Sequence, residues 1–149
     1  MSFQTTKLYS LPNNYVLFDG IRIQAFSEDE AVSYEVQSDA IEHLVSSDGE
    51  VTIYPTSDNR VVATITLMET SASARFLDQR RREQHAALKA GILDAGTYLH
   101  RDATTGDVIS GEAFILNRPT PDKAKAAGTR EFTILLPYAA DQIELAANL

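Results

Sequence analysis

Apolar and polar residues alternate along much of this chain with a period of two, the signature of strands that lie with one face against a core. Ile21, Ile23 and Ala25 alternate with Arg22 and Gln24, and Val32, Tyr34 and Val36 alternate with Ser33, Glu35 and Gln37. The run VVATITLM at Val61–Met68 sends Ala63, Ile65 and Leu67 to one face and Thr64 and Thr66 to the other. Residues 50–54 are its expected hairpin partner, across a turn at 55–59. Further strands are expected at 97–101, 108–116 and 130–137, the first two flanking the Gly-containing turn ATTGD. With a short leading strand at 15–18, the pattern predicts about eight strands and a mainly β domain.

One segment departs from this period. Residues 73–89 are dominated by Ala, Leu, Arg, Gln and Glu and predict a helix, with Thr70, Ser71 or Ser73 available as a cap and Gly91 as a stop. Its apolar stripe of Phe76, Leu77, Ala87 and Leu88 is thin and is interrupted by Arg80, Arg81 and Gln84, so the helix is expected to flank the sheet rather than fill a core. Residues 117–128 read as a polar loop, and 141–149 as a tail or terminal helix that an assembly could order.

The chain has 149 residues, of which 44% are hydrophobic, which suits one domain spanning 1–149. A chain of this length buries roughly 70% of its unfolded surface and needs no covalent staple. Cysteine is absent, which removes disulfides, thiolate metal sites and thiol nucleophiles together. The first residues lack the apolar core of a signal peptide, and no apolar run is long enough to cross a bilayer, so a protein kept inside the cell that makes it is expected, with no membrane segment.

The net charge of −8 argues against free nucleic-acid binding, because phosphate contacts require a basic face. Its distribution is uneven. Ten acidic residues lie between Glu28 and Glu69 against Arg60 alone, whereas the helix carries Arg75, Arg80, Arg81, Arg82 and Lys89 against Asp78 and Glu83. Either these are two solvated surfaces, or identical chains meet head to tail, basic end to acidic end, in contacts that close into rings or run on as filaments.

An open sheet also exposes strand edges that template pairing with another chain. Residues 37–49, QSDAIEHLVSSDG, are long for a connection and mix Asp39 and Glu42 with Ile41, Leu44 and Val45. They read either as a loop that packs on a partner or as a strand extension into the domain's own core.

The run from Asp48 to Ser73, DGEVTIYPTSDNRVVATITLMETSAS, resembles the acidic-Gly, hairpin, TITL and Ser-rich helix start of tail tube proteins of tailed bacteriophages, particularly those with contractile tails. The likeness continues in order through Phe76-Leu77, AFILNRP from Ala113 to Pro119 and TREFTILLPYA from Thr129 to Ala139. It implies a β-sandwich or partly rolled barrel with one flanking α-helix. Six copies would close a ring, and rings would stack into the tube through which the genome is ejected. It further implies a hairpin loop reaching the next ring, matched here by residues 37–49, with tail sheath, tape measure and baseplate proteins as partners and the virion tail, assembled in the host cytoplasm, as location. The inner tube of a bacterial secretion or injection machine shares this domain, and a small β-barrel binding module or baseplate adaptor is the alternative from another class.

In such a tube, carboxylates on the wall would repel DNA phosphates and let the polymer slide without specific binding. Glu35, Glu50 and Glu112 are the lining candidates because strand alternation turns them from the apolar face; the same acids on an outer wall would only confer solubility. Arg80, Arg81 and Arg82 are candidates for contact with a sheath or a neighbouring subunit, or form a solvated helix face. His43, His85 and His100 are scattered, Asp102 to Asp107 lacks the series of a calcium loop, and neither a phosphate cradle nor a nucleophile elbow is present. No catalytic residue, metal site or cofactor is expected, and the chain reads as a structural protein rather than an enzyme.

Overall fold

The structure is a computed structural model, which describes residues 14–24, 32–102, 106–119 and 128–142. Within these the chain forms nine strands and one long helix: β1 (Asn14–Phe18), β2 (Ile21–Arg22), β3 (Val32–Val36), β4 (Ile41–Val45), β5 (Val51–Pro55), β6 (Val61–Met68), α1 (Ala72–Lys89), β7 (Gly96–Asp102), β8 (Asp107–Ile115) and β9 (Thr129–Leu136). A single 3-10 turn follows at Ala140–Gln142. Of the expected features, Ala25, the centre of the ATTGD turn, most of the 117–128 loop and the tail from 143 onward lie outside the described residues.

Seven strands make one antiparallel sheet in the order β2-β1-β7-β8-β9-β6-β3, and β4 pairs with β5 alone. The protein is thus mainly β, with α1 as its flank. The sheet is bent about β8, whose first part pairs with β7 from Asp107 to Ala113 and whose last residues, Phe114 and Ile115, pair with Leu135 and Ile134 of β9. The bend brings the two halves over one another, so that Tyr34 on β3 reaches Tyr98 and His100 on β7. It is not a closed barrel: β2 and β3 stand at opposite ends of the strand order.

The core lies inside this fold. Alternate residues of β6 (Val61, Ala63, Ile65, Leu67) and β9 (Phe132, Ile134, Leu136) are wholly buried, facing Phe18, Ile23 and Tyr98. The strict alternation along β6 and β9 is why these strands were legible, and each buried aliphatic side chain contributes about 1.5–3 kcal/mol on leaving water.

The expected hairpin of 50–54 with β6 does not form. Residues 51–55 pair with β4 instead, Val45 opposite Val51 and Ile41 opposite Pro55, whereas β6 lies between β3 and β9. The turn is at 46–50 rather than 55–59. Ser46 N–H donates to the Glu50 carbonyl at 2.9 Å, Gly49 N–H to the Ser46 carbonyl at 3.0 Å, and Gly49 takes φ 94°. That is a three-residue loop in which the last position needs a left-handed backbone, and Asp48-Gly49 supplies it. The Asp48 carboxylate accepts from the Ser46 hydroxyl and from Glu50 N–H, which pulls its pKa below the usual carboxylate range.

α1 starts at Ser71, whose hydroxyl accepts from Ala74 N–H at 3.0 Å, and ends where Gly91 (φ 79°) lets Ile92 N–H reach the Ala87 carbonyl at 2.8 Å and Gly91 N–H the Leu88 carbonyl at 3.0 Å. Its buried residues are Ala74, Leu77 and Gln84. Gln84, an interruption in the apolar pattern, is the one buried polar or charged residue among those described. Its amide donates to the Ala113 carbonyl at 3.0 Å and the Asp94 carbonyl at 3.1 Å, and its Oε1 accepts from Ile115 N–H at 2.9 Å. Before β7 begins at Gly96, opposite Ala113, Gln84 therefore stands in for the missing strand along the edge of β8.

Replacing Gln84 by Leu should orphan these backbone groups, each costing about 1–3 kcal/mol when buried without a partner. Urea unfolding is expected to give a stability lower by at least about 2 kcal/mol and a correspondingly lower midpoint, with far-UV circular dichroism unchanged at zero denaturant; an unaltered midpoint would show that the three bonds carry nothing.

Candidate functional site

The β4–β5 hairpin is an arm extending from the β3–β6 ladder. Gln37 N–H donates to the Arg60 carbonyl at 3.1 Å at the end of that ladder, and Thr56 N–H to the Ala40 carbonyl at 3.0 Å at the start of the next. Two residues on one strand face three on the other between these bonds, a bulge-like waist that shifts the register by one. The waist is clamped by Asp58: the Ser38 hydroxyl donates to it at 2.5 Å, and Arg60 donates through Nε and Nη2, both at 2.8 Å. These bonds, with that from Arg60 first, hold the Asp58 carboxyl well below the usual carboxylate range.

Beyond the waist β4 and β5 pack chiefly on each other among the described residues. Their register places Ile41, His43, Val45, Val51, Ile53 and Pro55 on one face and Glu42, Leu44, Thr52 and Tyr54 on the other. The first face is almost wholly apolar, yet Ile41, Val45 and Ile53 are 64%, 64% and 68% exposed. The idea that Ile41, Leu44 and Val45 extend a strand into the domain's own core is overturned. Asp39 lies at the waist, and Glu42 on the second face, half-buried. The arm from 39 to 55 carries Asp39, Glu42, Asp48 and Glu50 and no Lys or Arg.

The lining candidates are not brought together. Glu35 is exposed on β3 opposite Val62, Glu112 is exposed on β8 opposite Thr97 in the other half of the sheet, and Glu50 is in the turn at the tip of the arm rather than on a strand. The outer face of the β3–β6–β9 half carries Glu35, Ser33, Thr64, Thr66, Thr133 and Glu131 in register, with Val62 and Leu135 among them. Glu131, unread in the sequence, is the second exposed carboxylate on that wall, and its signal was the same alternation that buried Phe132 and Ile134.

The arginines divide. Arg80 is held within the domain, 12% exposed, with Nη1 and Nη2 on the Asp94 carboxylate at 2.5 and 2.9 Å and Nε on Asp19 at 2.5 Å. Asp19, in the β1–β2 turn with φ 54°, also accepts from Thr97 N–H at 2.8 Å, so Arg80 ties α1, that turn and the entry to β7 into one node. The pairing raises the Arg80 pKa and lowers that of Asp94. Arg81 bonds Asp78 at 3.0 Å and is 13% exposed, leaving Arg82 as the outward member, 67% exposed and paired with the same Asp78.

Between the sheet halves, the Tyr34 hydroxyl lies 2.6 Å from that of Tyr98 and 2.5 Å from His100 Nδ1, with the Tyr34 and His100 rings stacked at 5.6 Å. Burial pushes both phenol pKa values up and the His100 pKa down, the latter against the pull of Asp102 and Asp107. This bridge fastens β3, the last strand of the sheet, across the core to β7.

Among the described residues no cluster of three or more His, Asp or Glu is placed to hold a metal, and no helix is long and apolar enough to cross a membrane. A comparison with protein-family models finds no match, and a comparison with curated proteins finds none either.

Two outcomes follow. Arg80→Glu should destabilise the domain by about 2 kcal/mol or more, short of the ~3–5 kcal/mol of a fully buried pair because its carboxylates are partly wet. Arg82→Glu should stay within about 0.5 kcal/mol, and equal melting curves for the two would contradict the node. For His100, a folded pKa below the unfolded ~6.5 means that the unfolded chain binds the extra proton. Stability should thus be full above about pH 6.5, fall as pH drops below it and level off once the folded ring is protonated; denaturation midpoints from pH 7.5 to 5 should show this for the wild type and less of it for His100→Gln.

Proposed function

We propose that this chain is a virion structural protein of the bacteriophage tail-tube kind, whose copies close rings and stack them into a channel for genome ejection. The observation that carries this reading is the arm, a hairpin with an apolar face that its own domain leaves in water. Isolated two-stranded hairpins are marginal in water, and patches of this kind mark surfaces that another chain covers. The first strand of the arm, β4, falls within residues 37–49, the stretch that the sequence resemblance assigns to contact between rings.

The ends of the sheet support ring closure. The bond from Gln37 N–H to the Arg60 carbonyl fixes which β3–β6 pairs are hydrogen-bonded, and the alternation directs the backbone N–H and C=O of Val32, Tyr34 and Val36 away from β6. At the opposite end β2 has only two residues. Neighbouring sheets joined at these margins would pair groups for which no other described residue supplies a backbone partner. The wall bearing Glu35 and Glu131 would then present carboxylates and threonine hydroxyls, a surface that repels phosphates and holds DNA weakly. The inner tube of a bacterial contractile secretion or injection machine would use the same surfaces.

Purified protein imaged in negative stain should show rings or tubes of uniform diameter, promoted by concentration. Ile41→Asp/Ile53→Asp, on the exposed arm, and Val36→Pro, which removes an outward N–H, should both melt within about 1 kcal/mol of the wild type and fail to assemble. A wild-type protein that stays monomeric at every concentration and salt would refute the reading.

A further inference from the structure

A second apolar exposure lies far from the arm in sequence. Where α1 leaves the sheet, a groove of about 490 Å³ opens between the last turns of the helix and the ends of β8 and β9. Phe114, Ile115 and Leu135 contribute to it, with Leu88, Leu93 and Leu116, which are 54%, 67% and 53% exposed.

We infer that this groove is the receptor for the β4–β5 arm of a second copy of the chain, an inference that rests on the assembly reading above and adds to it the surface the arm occupies. Two features select that occupant. The arm presents Ile41, Val45, Val51 and Ile53 on one face, apolar side chains matched in kind to the leucines of the groove. The charges differ in sign: the arm carries four carboxylates and no Lys or Arg, whereas the groove is bordered by Arg118 and by Arg81, which also pairs with Asp78, and has no acid among its lining residues. Such a contact is heterologous, since arm and groove are different surfaces of one chain; each copy offers one of each, so the contact repeats from copy to copy. Complementary charge steers the acidic arm toward the basic border of the groove, and the apolar face supplies the affinity.

Because the chain has no cysteine, the contact can be trapped without background. Ile53→Cys protein is mixed, under conditions that give assembly, with chains bearing Leu88→Cys, Leu93→Cys or Leu116→Cys, or with a control bearing Gln79→Cys on an exposed part of α1 outside the groove. Mild oxidation should give inter-chain dimers of arm with groove cysteines as the dominant product, reduced by Arg118→Glu and by high salt, with few control dimers. Assembled protein in which arm cysteines join each other, or the control as readily as the groove, would overturn this inference while leaving the tube reading intact. Protein that never assembles would overturn both.

Discussion

One antiparallel hairpin from β3 to β6 is longer than the core it has to cover, and much of the molecule follows from that mismatch. Its lower half lies in the seven-stranded sheet, where Val61, Ala63, Ile65 and Leu67 lose all contact with water. Its upper half keeps the apolar character of a sheet strand without a layer to pack on. A two-stranded ribbon cannot bury both of its faces, so either the apolar face stays wet or another chain covers it. The waist at Ser38, Asp58 and Arg60 separates the two regimes. It turns the ribbon away from the core and holds the departure with hydrogen bonds of its own rather than with burial.

The rest of the domain makes such an arm tolerable by fixing its root. β3 is the last strand of the sheet and would be its loosest, yet Tyr34 ties it to Tyr98 and His100 across the core. On the opposite side α1 is pinned by Gln84, which completes the ladder of β8, and by Arg80, which joins the helix to Asp19 and Asp94. These are polar contacts in places where the sheet changes partner, because there the backbone has donors and acceptors that no strand satisfies. Apolar packing holds the middle of the fold, and a few polar side chains hold its seams.

That division explains what the sequence disclosed. β6, β9 and α1 were legible because each presents a clean period, two for the strands and a capped run of helix formers for α1. β4 was hidden inside a connection, since IEHLV interleaves a carboxylate and an imidazole with its apolar residues and buries none of them in this domain. The partner of β5 is obscured for a related reason. A proline and several polar residues at 55–59 look like a turn, whereas the Asp48-Gly49 pair that makes the actual one lies in a stretch read as loop. Gln84 and Arg80 looked like breaks in an apolar stripe, and nothing local marks a residue whose partners are 29 and 61 positions away in sequence. Of the candidate surfaces, the apolar residues of the arm were visible as a list but not as a face, because a face requires the register.

The charge distribution bears on what an exposed apolar arm can join. Two arms meeting through their apolar faces would bring their acidic tips and margins near one another with no Lys or Arg between them, a like-charge repulsion that weakens such a pairing. Symmetric arm-to-arm dimers, which would end growth at two copies, are disfavoured on that ground. A contact between the acidic arm and a basic surface elsewhere on the chain has no such penalty and always leaves one arm and one receptor vacant at the ends of the series. The net charge of −8 would also keep separate copies apart until complementary surfaces align, which would direct an apolar patch toward ordered growth and away from indiscriminate aggregation.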